Sequence, residues 1–194
     1  MKIILTEEQI NNVLLELTTK KKEIFGMGVE HQIYNSNKNP NIVFKLGHPY
    51  VVDRWLKIFK KFPLYFPKTY RVGDIRFKNN VYRYVEMDKL NTSRVKDEWK
   101  LIEDKLVELD LTSADLLHNL SDIFRNCIMD EEYDNMVIQK LQKSDKVVYH
   151  LFMKWLNFLH SLNTIIKMIT DNMLDIHDGN FGYDKKGNIK CFDI

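Results

Sequence analysis

The chain has 194 residues, 44% hydrophobic and 12% aromatic, which is enough to bury a core and too apolar for a disordered chain. Its 29 basic and 27 acidic residues leave a formal charge of +2, a balance that argues against a dedicated nucleic-acid binder. No apolar run approaches the roughly 18 residues of a membrane span, and the opening Met1–Leu5 is too short for a signal peptide.

Two cysteines, Cys127 and Cys191, without a CxxC pair suggest neither a zinc site nor a disulfide framework. A reducing, cytoplasmic setting and no membrane partner are therefore expected. Cys127 falls in an apolar pattern and reads as a small buried hydrophobe. The length suits one domain or two small lobes.

The first predicted element is a helix. Thr6 followed by Gln9 forms a capping box, and Ile10, Val13, Leu14 and Leu17 then recur at helical spacing. An N-terminal helical extension is expected over residues 1–22, with Lys20, Lys21 and Lys22 as its solvated end.

Between residues 23 and 90 short apolar runs alternate with Gly, Asn, Pro and Asp clusters. KEIFGMG, HQIYNS, NIVFKLG, KTYRVGDI and NVYRYVEM read as strands, with turn chemistry in NSNKNPN and RFKNN. One helix, YVVDRWLKIFKKF, interrupts them and stops before Pro63, with Val51, Trp55, Ile58 and Phe59 on one face. A small β-rich lobe is expected, joined through a connector near 85–92 to a mostly helical lobe over 91–194.

In that second part SRVKDEWKLIEDKLVEL, SADLLHNLSDIFRNCI and KVVYHLFMKWLNFLHSLNTIIKMI read as three helices. The third carries Val148, Leu151, Phe152, Trp155, Leu159, Leu162 and Ile166 on a broad apolar face. NFGY and IKCFD, separated by DKKGN, make a hairpin signal with Gly187 at the turn.

Four pieces carry chemistry. Gly26 and Gly28 stand between two strand-like runs, where glycine lets backbone N–H groups approach a phosphate, although two glycines in a hairpin also make an ordinary turn. Lys45 is the one charged residue of an apolar strand run. It either faces a core, and then requires an anionic partner, or points to water from an edge strand. Asp175 and Asn180 stand five apart after the long apolar helix, and Asp193 follows two apolar residues of the hairpin. An Asn carbonyl and an Asp carboxylate are hard oxygen ligands of the kind Mg²⁺ takes beside phosphate.

In this order the pieces resemble the protein-kinase-like superfamily, which includes the protein kinases and the aminoglycoside phosphotransferases. The resemblance spans residues 23–194 and implies an α+β, two-lobed protein-kinase-like fold. The N-lobe would be small and β-rich, the C-lobe helical and reduced, and the N-terminal helix extra. It implies ATP and Mg²⁺ as ligands. Gly26-x-Gly28 resembles the glycine-rich loop, and Lys45 the strand lysine that pairs with the α- and β-phosphates. YVEM resembles the link between lobes, so backbone groups of Glu86, Met87 and Asp88 would face the adenine. DIHDGN is similar to the catalytic loop, with Asp175 as base and Asn180 as metal ligand, and FDI to the segment whose Asp193 holds Mg²⁺.

Several positions depart from the family pattern. His31 replaces the third glycine, and MLD replaces the H-R-D whose arginine would pair with a phosphorylated activation loop. His177 reads as a loop-holding residue rather than a catalytic one. The acid that would face Lys45 stays open: Asp53, the one acid of the intervening helix, is a candidate but is equally an acid favoured by the start of its helix, and Glu30 and Glu86 are lesser candidates. One residue follows Asp193, so an activation segment and the peptide platform are expected to be missing, and a protein partner or substrate could complete the reduced lobe.

The expected function is a minimal kinase passing the γ-phosphoryl of ATP to a hydroxyl, first a Ser or Thr of a protein. A small-molecule acceptor also stays open. The alternative is an inactive, pseudokinase-like binding or interaction module, or a structural domain whose kinase-like pattern is ancestral.

Overall fold

The structure is a computed structural model that describes residues 24–27, 31–36, 39–77, 80–111, 120–170 and 174–193. The expected N-terminal helix, Gly28 and the lysine run lie outside these residues. The chain divides into two compact units, Met1–Leu90 and Asn91–Ile194.

In the first unit β1 (Ile24–Met27), β2 (His31–Asn35), β3 (Ile42–Gly47), β4 (Thr69–Phe77) and β5 (Asn80–Asp88) form one antiparallel sheet in the order β1-β2-β3-β5-β4. Each strand-like run of this part of the sequence is a strand. Lys45 pairs with Ile33 on one side and Val85 on the other, so β3 is the middle strand and the edge-strand alternative for Lys45 falls.

Helix α1 (Pro49–Lys61) starts where sequence chemistry dictates. His48 caps it by accepting the Tyr50 N–H, and Pro49 occupies the first turn, where a missing N–H costs nothing. It ends at Phe62, before Pro63. Its buried stripe is Val52, Trp55, Leu56, Ile58 and Phe59; Val52 takes the place expected for Val51, which is half-buried. Trp55, Phe59 and Phe66 continue as an aromatic stack, with centroids 4.5 and 4.3 Å apart.

The second unit contains α2 (Ser93–Glu108), α3 (Leu120–Met129), α4 (Glu131–Ser144) and α5 (Lys146–Thr170), followed by a hairpin of β6 (Phe181–Tyr183) and β7 (Ile189–Cys191). Buried Val95, Trp99, Ile102 and Leu106 keep helical spacing on α2. On α5 the buried residues are Val148, Phe152, Trp155, Leu156, Leu159, Leu162, Asn163 and Ile166, whereas Leu151 of the expected face is half-exposed. Rings of Trp99, Phe124, Phe152, Trp155 and Phe181 meet in the core of this unit. Cys127 is buried there, its thiol pushed up to about 12 by burial and the neighbouring Asp134.

Helix α4 was absent from the three-helix expectation. Only Val137 and Leu141 of its residues are buried, so it shows almost no apolar stripe. Its signal is at the start: Asp130 accepts the N–H groups of Glu132 and Tyr133, and Glu131, Glu132 and Asp134 fill the first turn. Gly187 turns the β6–β7 hairpin at φ 81°, a conformation that favours glycine. Among the described residues no helix is long and apolar enough to cross a membrane.

Candidate functional site

The candidate residues fall in both units, and each half is built by local rules. In the first unit Gly26 lies within β1 opposite Ile33, just past a bulge between Ile24 and Gly26. Val43, Lys45 and Gly47 share one face of β3 by strand alternation. On that face the Lys45 side chain is completely buried, its ammonium 4.8 Å from the centre of the Trp55 ring of α1.

Asp53 is placed by a different partner from those weighed for it. It lies beyond the first turn of α1, and its carboxylate accepts from Arg83 Nη1. Arg83 also holds Asp74 of β4 through two bonds, Nε–Oδ1 at 2.6 Å and Nη2–Oδ2 at 2.9 Å. The bidentate pair with Asp74 raises the guanidinium's pKa, burial opposes this, and Asp53 adds to the rise. One arginine thus ties α1 to the β4–β5 ladder.

Glu86, Met87 and Asp88, the expected adenine contacts, close β5. β5 has neighbours on both sides, with Glu86 opposite Phe44 and Arg71 and Met87 opposite Val43 and Thr69. The Asp88 N–H donates to Lys68 O at 3.0 Å and the Lys89 N–H to Asn41 O at 2.8 Å. The Asp88 and Lys89 amides are thus engaged within the first unit. The side chains are likewise engaged: Met87 is buried, Glu86 meets Arg71, and Asp88 accepts from Tyr70 at 2.7 Å.

In the second unit α5 gives way to an extended stretch. Leu174 N–H donates to the buried Asn163 Oδ1 of α5 at 3.2 Å. Leu174 and Ile176 point inward, so alternation turns Asp175 and His177 outward. One 3₁₀ turn, Asp178–Asn180, follows. His177 Nδ1 caps it by accepting the Gly179 N–H at 3.1 Å, which bears out the loop-holding reading of this histidine. That bond places the ring proton on Nε2, which lies 3.5 Å from Asp175 Oδ2. A Cβ on Gly179 would stand 2.9 Å from the His177 ring.

Asn180 is buried, and its Nδ2 donates to Asp175 O at 3.0 Å, with Asp175 Oδ2 at 3.4 Å. β6 and β7 pair Phe181 with Cys191. One step beyond that pair, Phe192 N–H donates to Asn180 O at 3.0 Å. The hairpin therefore brings Asn180 and Asp193 to its open end, beside Asp175. Cys191 Sγ donates to Asp193 O at 2.9 Å and steadies that end.

This donor set fits Mg²⁺. With Nδ2 committed to Asp175, the Asn180 amide keeps Oδ1 as its acceptor, and Asp193 adds a carboxylate. Mg²⁺ takes one or two such protein oxygens and leaves its other positions to phosphate and water. Among the described residues no group of three or more His, Cys, Asp or Glu gathers as a metal site, so nothing here resembles an all-protein cage.

A polar cluster behind the hairpin was not anticipated. Glu98 of α2 accepts from Tyr183 of β6, from Trp155 Nε1 of α5 at 2.9 Å and from Arg94 Nε at 2.9 Å. Lys154 donates to the Tyr183 hydroxyl. Burial would raise Glu98, but the bonds from Tyr183, Trp155 and Arg94, with Lys154 nearby, outweigh it and hold Glu98 below the usual carboxylate range. The Tyr183 phenol is pushed up by burial and by Glu98. Backbone bonds between Tyr183 and Asn91 in both directions, at 2.9 and 3.0 Å, fix β6 further. The signal available in sequence was a lone Glu on the apolar side of a helix.

No protein-family model matches the chain, and no curated protein matches it. Among solved structures, it is similar to the ternary complex of streptomycin, ATP and APH(2")-IIa, at 11% identity over 98% of this chain and 75% of that one, with a TM-score of 0.28. At that score the likeness carries no argument, and the site stands on its own geometry.

Proposed function

We propose that this chain is an ATP-dependent phosphotransferase that passes a γ-phosphoryl group to a hydroxyl, with Ser or Thr of a protein as the first acceptor to test. The observation that carries this reading is the gathering of Asp175, Asn180 and Asp193 at the open end of one hairpin. Asp175, the most exposed of the three, orients the acceptor hydroxyl and takes its proton. Asn180 Oδ1 and the Asp193 carboxylate would hold Mg²⁺. Lys45 would supply positive charge for the α- and β-phosphates, and the stretch with Gly26 and Gly28 is proposed as the phosphate loop. Bound Mg²⁺ would neutralise charge on the phosphate oxygens. The chain's share is positioning and electrostatics, which dominate in this kind of transfer. Backbone around Glu86, Met87 and Asp88 would face the adenine, although the Asp88 N–H already donates to Lys68 O.

The test is γ-phosphoryl transfer from labelled ATP to protein and small-molecule hydroxyls, with Lys45→Met and Asp193→Asn as controls. Both substitutions are expected to abolish ATP binding or turnover while the far-ultraviolet spectrum stays native. Unchanged ATP affinity in both removes the assignment.

A second reading, a kinase-like module that binds a partner without catalysis, is favoured by one observation: Lys45 has no exposed surface. Phosphate must displace its covering to reach it. Under this reading the wild type shows no transfer to any acceptor.

A further inference from the structure

The β6–β7 hairpin that carries the proposed metal ligands is too small to set its own geometry. Each strand has three residues, and a lone hairpin is marginal without packing from outside. Two helices supply that packing. The Phe181 ring stands 6.0 Å from Trp99 of α2 and 5.8 Å from Trp155 of α5. Apolar burial of this kind holds a strand against a helix, but it is non-directional.

Direction comes from one atom. Glu98 Oε2 accepts from Trp155 Nε1 of α5 at 2.9 Å and from the Tyr183 hydroxyl of β6, so α2, α5 and β6 meet at a single oxygen. The other oxygen, Oε1, takes Arg94 Nε at 2.9 Å. The Tyr183 hydroxyl gives its proton to Glu98 and accepts from Lys154, so its bonding is satisfied on both sides. Tyr183 is 2% and Trp155 0% exposed, which keeps water from competing for these bonds. Glu98 itself lies on the packed side of α2, between Val95 and Ile102 and next to Trp99. A charge there costs desolvation that an apolar residue would avoid. What the carboxylate provides in return is a fixed height and rotation of β6 against both helices.

The effect reaches the ligands through the backbone. Asn180 directly precedes Phe181 of β6, and Phe192 N–H donates to Asn180 O at 3.0 Å, with Asp193 next in the chain. We propose that Glu98 is a positioning residue for the metal end of the hairpin: through Tyr183 it fixes β6, and thereby how Asn180 and Asp193 present their oxygens. This inference rests on the phosphotransferase reading for the role of those oxygens, whereas the clasp itself lies wholly in the second unit.

The test uses the full chain with Mn²⁺ and ATP as the probe, and broadening of the Asn180 and Asp193 resonances by Mn²⁺ as the readout. Glu98→Gln keeps the shape and loses the charge; Tyr183→Phe keeps the ring and loses the hydroxyl. Each is expected to weaken Mn²⁺–ATP binding about tenfold, the size of one hydrogen bond to a charged group. The double variant is expected to weaken it no more than the single ones, because both remove the same link. Val137→Ala, which opens a cavity at a buried position of α4, is expected to bind as the wild type does, and so separates positioning from lost stability. Amide exchange without metal is the second readout. The Phe192 N–H should exchange faster in both variants, by more than the core amides of α5.

If the wild type binds Mn²⁺–ATP and both variants bind as tightly, the role of Glu98 is overturned and the metal site survives. An equal loss in Val137→Ala also overturns it. If the wild type binds no Mn²⁺–ATP, the phosphotransferase reading falls and exchange decides on Glu98 alone. Acceleration concentrated at Phe192 keeps Glu98 as the positioning residue of the hairpin, and acceleration spread evenly over the second unit overturns it.

Discussion

Asp175 and Asn180 show how a few bonds define a residue's chemistry. The Asn180 amide is oriented by the Asp175 carbonyl, and Asp175 itself projects outward between buried Leu174 and Ile176. Asp175→Asn should therefore keep ATP affinity but lower transfer by about 10²-fold or more, the usual contribution of a positioned base. Equal transfer rates in the two proteins would remove the base from the mechanism. Glu98 makes a stability prediction at the same scale. A carboxylate held below its usual range contributes stability that is complete above that range and lost as pH falls through the lowered value. Glu98→Gln should cost about 2 kcal/mol at neutral pH, since buried partners lose a charged acceptor. The gap between variant and wild type should close as urea unfolding is repeated below the ordinary glutamate range. A gap that widens in acid contradicts the assignment.

Among elements, α4 and the hairpin carry the sharpest expectations. With only Val137 and Leu141 buried, α4 depends on its first turn, where Asp130 satisfies two N–H groups. Asp130→Ala should lower stability by about 1 kcal/mol, visible as faster amide exchange confined to the start of α4. In the hairpin, Gly187 at φ 81° accepts a side chain only with strain. Gly187→Ala should cost about 1 kcal/mol. Because the same hairpin carries Asn180 and Asp193, metal-dependent nucleotide binding should weaken more in this variant than in Asp130→Ala, a comparison calorimetry can make.

For the whole molecule, a ligand that binds only the folded chain raises its melting temperature. At about 100 times its Kd, ATP with Mg²⁺ should add about 2.7 kcal/mol, or roughly 5–10 °C for a chain of this size. On the proposed reading the shift should need both components, nucleotide and metal. A full shift with ATP alone would separate nucleotide binding from the metal ligands.

The order and type of most elements were legible in the sequence because local rules govern them. Strand alternation, the Pro49 start and Pro63 stop of α1, the stripe on α5 and the Gly187 turn act within a few residues of chain. The same local chemistry singled out Lys45, a lone charge in an apolar strand, and the loop-holding His177. Helix α4 escaped because its face is too little buried to leave a periodic pattern. Only the tertiary structure decided partners. Asp53 went to Arg83, 30 residues away, because the β4–β5 pairing set Asp74 and Arg83 opposite each other beneath α1. Lys45 lies against the Trp55 ring, and the acid of the same helix is held by Arg83 instead. Partnership across such separations depends on register and packing, which are properties of the assembled sheet and which no short stretch of sequence contains.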